Sequence, residues 1–172
     1  MVIWLIGLSG SGKTTLGKEI ARLWRGLAAN TVLLDGDELR RVFAHDQTDA
    51  AYSVEGRRAN AERMTALCEM LDRQGINVVC CILSLFPDMR TQNRERFSRY
   101  FEVFMDASME ALLRRDTKGL YQDALTGARP NVVGVDIPFP RPETADLTIS
   151  TSGPEPDMTQ LARHVLGKAG IA

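Results

Sequence analysis

Five short apolar runs divide the chain, at residues 2–6, 31–34, 77–83, 101–105 and 147–149. Each has the length of a buried strand and falls short of a buried helix. Between them apolar residues return at helical spacing. Leu16, Ile20, Leu23, Trp24 and Leu27 make one stripe, and Met64, Leu67, Cys68 and Leu71 make another. Gly75 and the stretch around Asn30 read as helix exits, and Ser108 ahead of "MEALLRR" reads as an N-cap. Residues 156–167 read as a terminal helix packed on the sheet. Strands alternating with amphipathic helices predict an α/β fold, with helices on both faces of a parallel sheet.

Residues 116–142 break this rhythm. Gly119, Gly127, Gly134, Pro130, Pro138, Pro140 and Pro142 are interleaved there with charges. A long irregular segment inside a compact domain is usually functional, and the expectation is a lid. No repeat, low-complexity tail or second domain is visible, so the 172 residues read as one domain.

Composition narrows the classes. Hydrophobic residues make up 44%, enough for a sizeable core, and the net charge of −1 offers no basic field for duplex nucleic acid or an anionic membrane. No run approaches the roughly 20 apolar residues of a membrane span. The first run leads straight into a glycine-rich loop, unlike a signal peptide. The 17 arginines outnumber the 4 lysines, and a planar guanidinium fork suits phosphate or sulfate oxygens. Cys68, Cys80 and Cys81 lack metal-ligand spacing and read as buried thiols of a reducing, cytoplasmic compartment. His45 and His164 have no visible catalytic partner and are expected at the surface.

"GLSGSGKTT" follows the first strand and opens the first helix, and it fits G-x-x-x-x-G-K-[ST]. In that context Gly7, Ser9, Gly10, Ser11, Gly12, Lys13, Thr14 and Thr15 are the expected nucleotide-binding residues. Backbone N–H groups would turn inward around phosphate oxygens, with the helix N-terminus adding its dipole. Lys13 would reach the β/γ oxygens, and Thr14 would ligate Mg²⁺. The plainer alternative is a turn that only links strand to helix. The chain has no N-K-x-D guanine element, and its size with a lid favours a small-molecule kinase. The third apolar run ends in Ser84, so the acid near the metal must come from elsewhere.

"TVLLDGDELRR" supplies one. Asp35 and Asp37 lie at the carboxyl end of the second strand, where ligands bind in open α/β sheets. A carboxylate there could orient or deprotonate an acceptor hydroxyl, or hold a water of Mg²⁺. Arg40 follows Asp37 by three residues, on one helix face. Asp37 could instead be only an N-cap. In "YSVEGRRANAER", Arg57 and Asn60 share a face of the next helix, with Tyr52 just before it. They read either as a base-and-anion pocket or as an exposed arginine-rich face.

Taken together, "GLSGSGKTT", "LDGDELR", "YSVEGRRAN", "ILSLF", "RDTKGLY" and "VVGVDIPFPRPETADLTI" come in the order of the adenylyl-sulfate (APS) kinase family, which the sequence resembles over residues 2–153. The resemblance implies the phosphate-loop kinase fold, strand order 2-3-1-4-5 and, often, a homodimer. It implies transfer of the ATP γ-phosphoryl group to the ribose 3′-hydroxyl of APS. Asp35 matches the aspartate proposed to act on that hydroxyl, and Asp37 and Arg40 match substrate-pocket positions. Tyr52 stands where the family stacks a phenylalanine on the acceptor adenine. Arg57 and Asn60 match holders of the acceptor nucleotide. Ser84, with Leu85 in the same stretch, lies beside the acceptor site, and the serine is phosphorylated in some members. Arg115 and Lys118 match lid residues that approach the nucleotide phosphates, which makes Lys118 a catalytic candidate beside Asp35 and Lys13.

Three departures fall on the acceptor side. Glu38 replaces a usual Asn, and Val132 replaces an aromatic that forms the second face of the adenine sandwich. The serine loop reads Ser84-Leu85-Phe86-Pro87 in place of Ser-Pro-aromatic-Arg. APS is therefore the first acceptor expected. The second is cytidine diphosphoramidate, the substrate of a divergent branch, whose pyrimidine needs less stacking surface. Two other classes stay open: an ATP-binding regulator and a nucleoside monophosphate kinase.

Overall fold

All five apolar runs become strands: β1 (Val2–Ile6), β2 (Thr31–Asp35), β3 (Asn77–Cys81), β4 (Tyr100–Asp106) and β5 (Leu147–Ser150). The computed structural model describes residues 1–44, 49–154 and 156–171, so His45 lies outside the described residues. The strands form one parallel sheet in the order β2-β3-β1-β4-β5. This is the phosphate-loop kinase arrangement that the resemblance implies.

β1 is buried along its whole length. Its run is unbroken because a central parallel strand has helices on both faces. Val2, Trp4 and Ile6 pack with Ala61, Met64 and Cys68 of α3 (Val54–Arg73). Ile3 and Leu5 pack with Leu16, Ile20 and Trp24 of α1 (Lys13–Leu27) and with Ala162, Val165 and Leu166 of α7 (Met158–Lys168). The three thiols are free and buried, and His164 is exposed. Among the described residues no helix is long and apolar enough to cross a membrane.

Two helices are less legible in the chain. α2 (Gly36–Val42) follows β2 directly, and Asp35, not Asp37, is its cap: the Asp35 carboxylate accepts from the N–H groups of Asp37 and Glu38. α4 (Pro87–Arg96) carries almost no apolar stripe. Pro87 fits its first turn, and the helix instead buries Arg90 and Asn93.

The stretch expected to be irregular is partly helical. α5 (Met109–Arg114) is capped by the Ser108 hydroxyl, which accepts from Ala111 N–H. α6 (Leu120–Leu125) follows after a short turn. Asp116 accepts the N–H groups of Leu120, Tyr121 and Gln122, and Asp136 accepts those of Asn131 and Val132. Residues 116–142 are thus two carboxylate-braced turns around a helix. Leu112, Tyr121, Ala124 and Val132 form a small apolar cluster beneath them, with Leu8 of the glycine-rich loop against it. Residues 125–130 are exposed.

Candidate active site

The glycine-rich loop joins the buried end of β1 to α1. Gly10 (φ 78°) and Gly12 (φ 94°) adopt left-handed backbone that a side chain would strain. Gly12 is the N-cap residue of α1, and no side chain caps that end. The first N–H groups of the helix are left for a ligand, which is the arrangement that binds phosphate. Lys13 Nζ donates to the Leu8 carbonyl at 2.7 Å and to Ser11 Oγ at 3.5 Å. Burial lowers the Lys13 pKa, against the upward pull of Asp37 and Asp35. Ser11 is buried, while Ser9, Thr14 and Thr15 are exposed.

β2 delivers its carboxylate to the same place. The Thr14 hydroxyl donates to Asp35 Oδ2 at 2.6 Å, while Oδ1 caps α2 at 3.0 and 3.3 Å. A hydroxyl and a carboxylate this close form a hard-oxygen pair of the kind that suits Mg²⁺. Next door, Arg40 Nη1 donates to Asp37 Oδ1 at 2.9 Å. The Arg40 side chain is 9% exposed and that of Asp37 is 85% exposed, so the cation is buried and its partner is not.

Tyr52 closes a 3-10 turn at Asp49–Tyr52, ahead of the Ser53 cap of α3. The guanidinium carbons of Arg40 and Arg57 lie 5.2 and 5.7 Å from the centre of its ring. Burial, followed by the charge of Arg40, lowers the Arg57 pKa. Arg57 donates to the carbonyls of Tyr52 and Asn131, both at 2.8 Å, so it spans from α3 to the 116–142 segment. Asn60 is 1% exposed. Its amide nitrogen and oxygen, like Arg40 Nε, are buried without a protein partner among the described residues. Buried polar atoms of this kind call for a ligand or water. Arg57 is half-buried and Asn60 buried, so this pair is not part of an exposed face, although Arg63 and Arg73 of the same helix are exposed.

Ser84 has left-handed backbone (φ 58°), and its hydroxyl accepts a 3.4 Å bond from Trp4 Nε1. Leu85 and Phe86 are buried. The Arg58 guanidinium lies 4.2 Å from the Phe86 ring centre and pairs with Asp88 at 3.1 and 3.3 Å, which fixes this loop to α3. Lys118 is exposed on the turn between α5 and α6. Arg115 donates to the carbonyls of Thr151 and Gly153, at 2.6 and 3.3 Å, in the loop after β5. Val132 is buried in the cluster with Tyr121 and forms no open wall. A groove of about 460 Å³ runs from Thr14 and Thr15 along Lys18 and Glu19 to Met158 and Thr159.

Direct contacts therefore link Thr14, Asp35, Asp37, Arg40, Tyr52 and Arg57, while Ser84 bonds Trp4, Arg115 bonds the loop after β5 and Val132 packs with Tyr121. One residue escaped that reading: the Tyr121 hydroxyl donates to the Ser9 carbonyl at 2.7 Å. No periodicity marks it, because its partner is 112 residues away.

Comparison with known proteins shows the family. The adenylylsulphate kinase family profile matches residues 1–150. The cytidine diphosphoramidate kinase of Campylobacter jejuni is 40% identical over 151 residues, covering 88% of this chain and 86% of that protein. The adenylyl-sulfate kinase of Synechococcus sp. strain JA-3-3Ab is 34% identical, covering 88% and 85%. The structure of the Mycobacterium tuberculosis APS kinase in complex with AMPPNP and APS superposes with a TM-score of 0.84 at 30% identity, covering 98% of this chain and 96% of that one.

Proposed function

The chain belongs to the adenylylsulphate kinase family, and from that premise we propose ATP- and Mg²⁺-dependent phosphoryl transfer to the ribose 3′-hydroxyl of a nucleotide with a small anionic group on its phosphate. One observation carries the reading. A continuous line of contacts runs from Thr14 through Asp35 into α2, from Asp37 to Arg40, and across the Tyr52 ring to Arg57. It joins a triphosphate cradle to a cationic, aromatic pocket.

Each group has a task in that line. The loop amides and Lys13 hold the β- and γ-phosphates, and the groove along Thr15 and Lys18 takes the ATP nucleoside. Thr14 with Asp35 would hold Mg²⁺, which would neutralise phosphate charge when bound. Asp35 also faces the acceptor hydroxyl and orients it. Arg40, Arg57 and Asn60 hold the acceptor's anionic end, and Tyr52 stacks on its base. Lys118 and Arg115 add positive charge from the lid as it closes and excludes water. The setting is the cytoplasm, where free thiols stay reduced.

For the acceptor we favour cytidine diphosphoramidate. Tyr52 offers one stacking face, and the position of the second, Val132, is an aliphatic residue buried in the lid cluster. Each base–aromatic stack is worth about 1–3 kcal/mol, and a small pyrimidine loses least when one is missing. The 40% identical relative is named for that substrate. APS, first on resemblance alone, is the second reading, supported by the Mycobacterium tuberculosis neighbour that holds it. A coupled ADP-release assay with each acceptor decides between them. Turnover with neither above background ATP hydrolysis refutes both, and AMP, CMP and UMP in the same assay test the monophosphate kinase alternative.

A further inference from the structure

Tyr121 belongs to none of the roles above, yet it is the one lid side chain hydrogen-bonded to the backbone of the phosphate loop among the described residues. It is 2% exposed, and its ring packs with Leu112, Ala124 and Val132 in the cluster that Leu8 of the loop joins. Its hydroxyl donates to the Ser9 carbonyl at 2.7 Å. Its backbone N–H is held by Asp116 at 2.7 Å, which fixes where the side chain starts. Burial, followed by the charge of Asp116, pushes the phenol up to about 12, so the hydroxyl keeps its proton and remains a donor at neutral pH.

The peptide unit explains why this bond matters. The Ser9 carbonyl and the Gly10 N–H share one planar trans amide and point in opposite directions. A donor that holds the carbonyl against the lid therefore turns the Gly10 N–H the other way. The preceding peptide is treated alike: Lys13 Nζ holds the Leu8 carbonyl at 2.7 Å, which fixes the Ser9 N–H. Gly10, at φ 78°, has no steric preference that would hold this orientation by itself. We propose that Tyr121 is a positioning residue of the nucleotide site: its hydroxyl holds the Ser9 carbonyl outward, presents the Gly10 N–H to the nucleotide phosphates, and ties the base of the lid to the phosphate loop. Lys118 projects from the turn just ahead of Tyr121, so the same bond fixes its take-off point. The inference rests on the ATP reading only for the identity of the phosphates.

Tyr121→Phe keeps the ring and removes the hydroxyl. Binding of AMPPNP, measured by calorimetry on the full chain, should weaken about three- to tenfold, the worth of one neutral hydrogen bond. Binding of cytidine diphosphoramidate or APS, whichever the wild type binds, should change by less than about twofold. Hydrogen exchange of the amides in residues 7–13 should quicken in the variant, with the β3 amides unaffected. AMPPNP affinity within about threefold of wild type, a parallel loss of acceptor affinity, or unchanged exchange in residues 7–13 overturns the proposal. If the wild type binds neither cytidine diphosphoramidate nor APS, the acceptor reading fails, while the AMPPNP and exchange measurements still decide the role of Tyr121.

Discussion

The Thr14 hydroxyl donates to one oxygen of Asp35 at 2.6 Å, and the other oxygen caps α2. A single carboxylate therefore connects the phosphate loop, β2 and the helix that carries Arg40. Asp35→Asn separates its two duties. Asparagine caps a helix about as well as aspartate, so the thermal midpoint should barely move. The charge toward metal and acceptor is lost, and turnover in the coupled assay should fall by about 10²-fold or more. Near-normal turnover would reduce Asp35 to a turn residue.

Lys118 is exposed and forms no hydrogen bond or ion pair among the described residues. Lys118→Ala should leave folding intact. If the lysine closes over the transferring phosphoryl group, kcat falls by about 10²-fold, the scale of one lost charge-stabilising donor. The acceptor KM stays near wild type. A rise in acceptor KM with kcat preserved would move Lys118 out of the lid role and into the acceptor pocket.

Tyr52 is 38% exposed and flanked by the guanidinia of Arg40 and Arg57. Tyr52→Ala removes about 1–3 kcal/mol of base stacking, so acceptor KM should rise about tenfold or more while the KM for ATP holds. Equal changes in both constants would mean that the ring is a brace for the two arginines and not a platform for a base.

The centre of the sheet was legible because β1 is buried on both faces: residues 2–6 are apolar throughout and become that strand with no change of bounds. The phosphate loop was legible because glycine spacing carries its geometry. Helix α4 was not, since its buried positions are Arg90 and Asn93, which no hydropathy pattern marks. Residues 116–142 read as irregular because Gly119 and Gly127 bracket the six residues of α6, and the bracing by Asp116 and Asp136 is local hydrogen bonding with no period. The sequence offers Asp37 as the cap of α2, and only backbone geometry moves that duty to Asp35, two residues earlier. Tyr121 needed tertiary contact to be seen at all.

Away from the site, Asp72 is a buried acid at the end of α3. It accepts from the backbone N–H and hydroxyl of Ser98, each at 2.7 Å, and from the Met1 ammonium. Burial alone would raise its pKa, but these donors outweigh it and hold the group below its ordinary value of 3.8. A lowered folded pKa means that the stabilisation is fully present above 3.8 and is lost as pH falls through the folded value. Asp72→Ala should cost about 1–3 kcal/mol at neutral pH by leaving buried donors unpaired. Urea titrations of the two proteins should converge below the ordinary value. A gap that persists undiminished as pH falls well below 3.8 would show that lost packing, and not the charge, accounts for the cost.

Gly17 lies in the middle of α1, where alanine is normally better by about 1 kcal/mol. Here a Cβ would stand 2.3 Å from Cys81 Sγ and 3.3 Å from Leu33 Cδ1, so the helix approaches β3 too closely for any side chain. Cys81 in turn donates its thiol to the Lys13 carbonyl at 3.4 Å, so the contact that excludes a methyl group also holds the first turn of the helix that carries Lys13. Gly17→Ala should destabilise the fold by about 1–3 kcal/mol, as overpacking does in a tight core. It should also weaken AMPPNP binding, because the helix must shift away from the sheet. Removing the sulfur in Gly17→Ala/Cys81→Ala relieves most of the clash. The double variant should be more stable than the sum of the single changes by about 0.5–3 kcal/mol, the coupling expected of residues in contact. Strict additivity in urea unfolding would mean that the 2.3 Å approach does not set the position of α1, and that the phosphate loop is placed by its own turn alone.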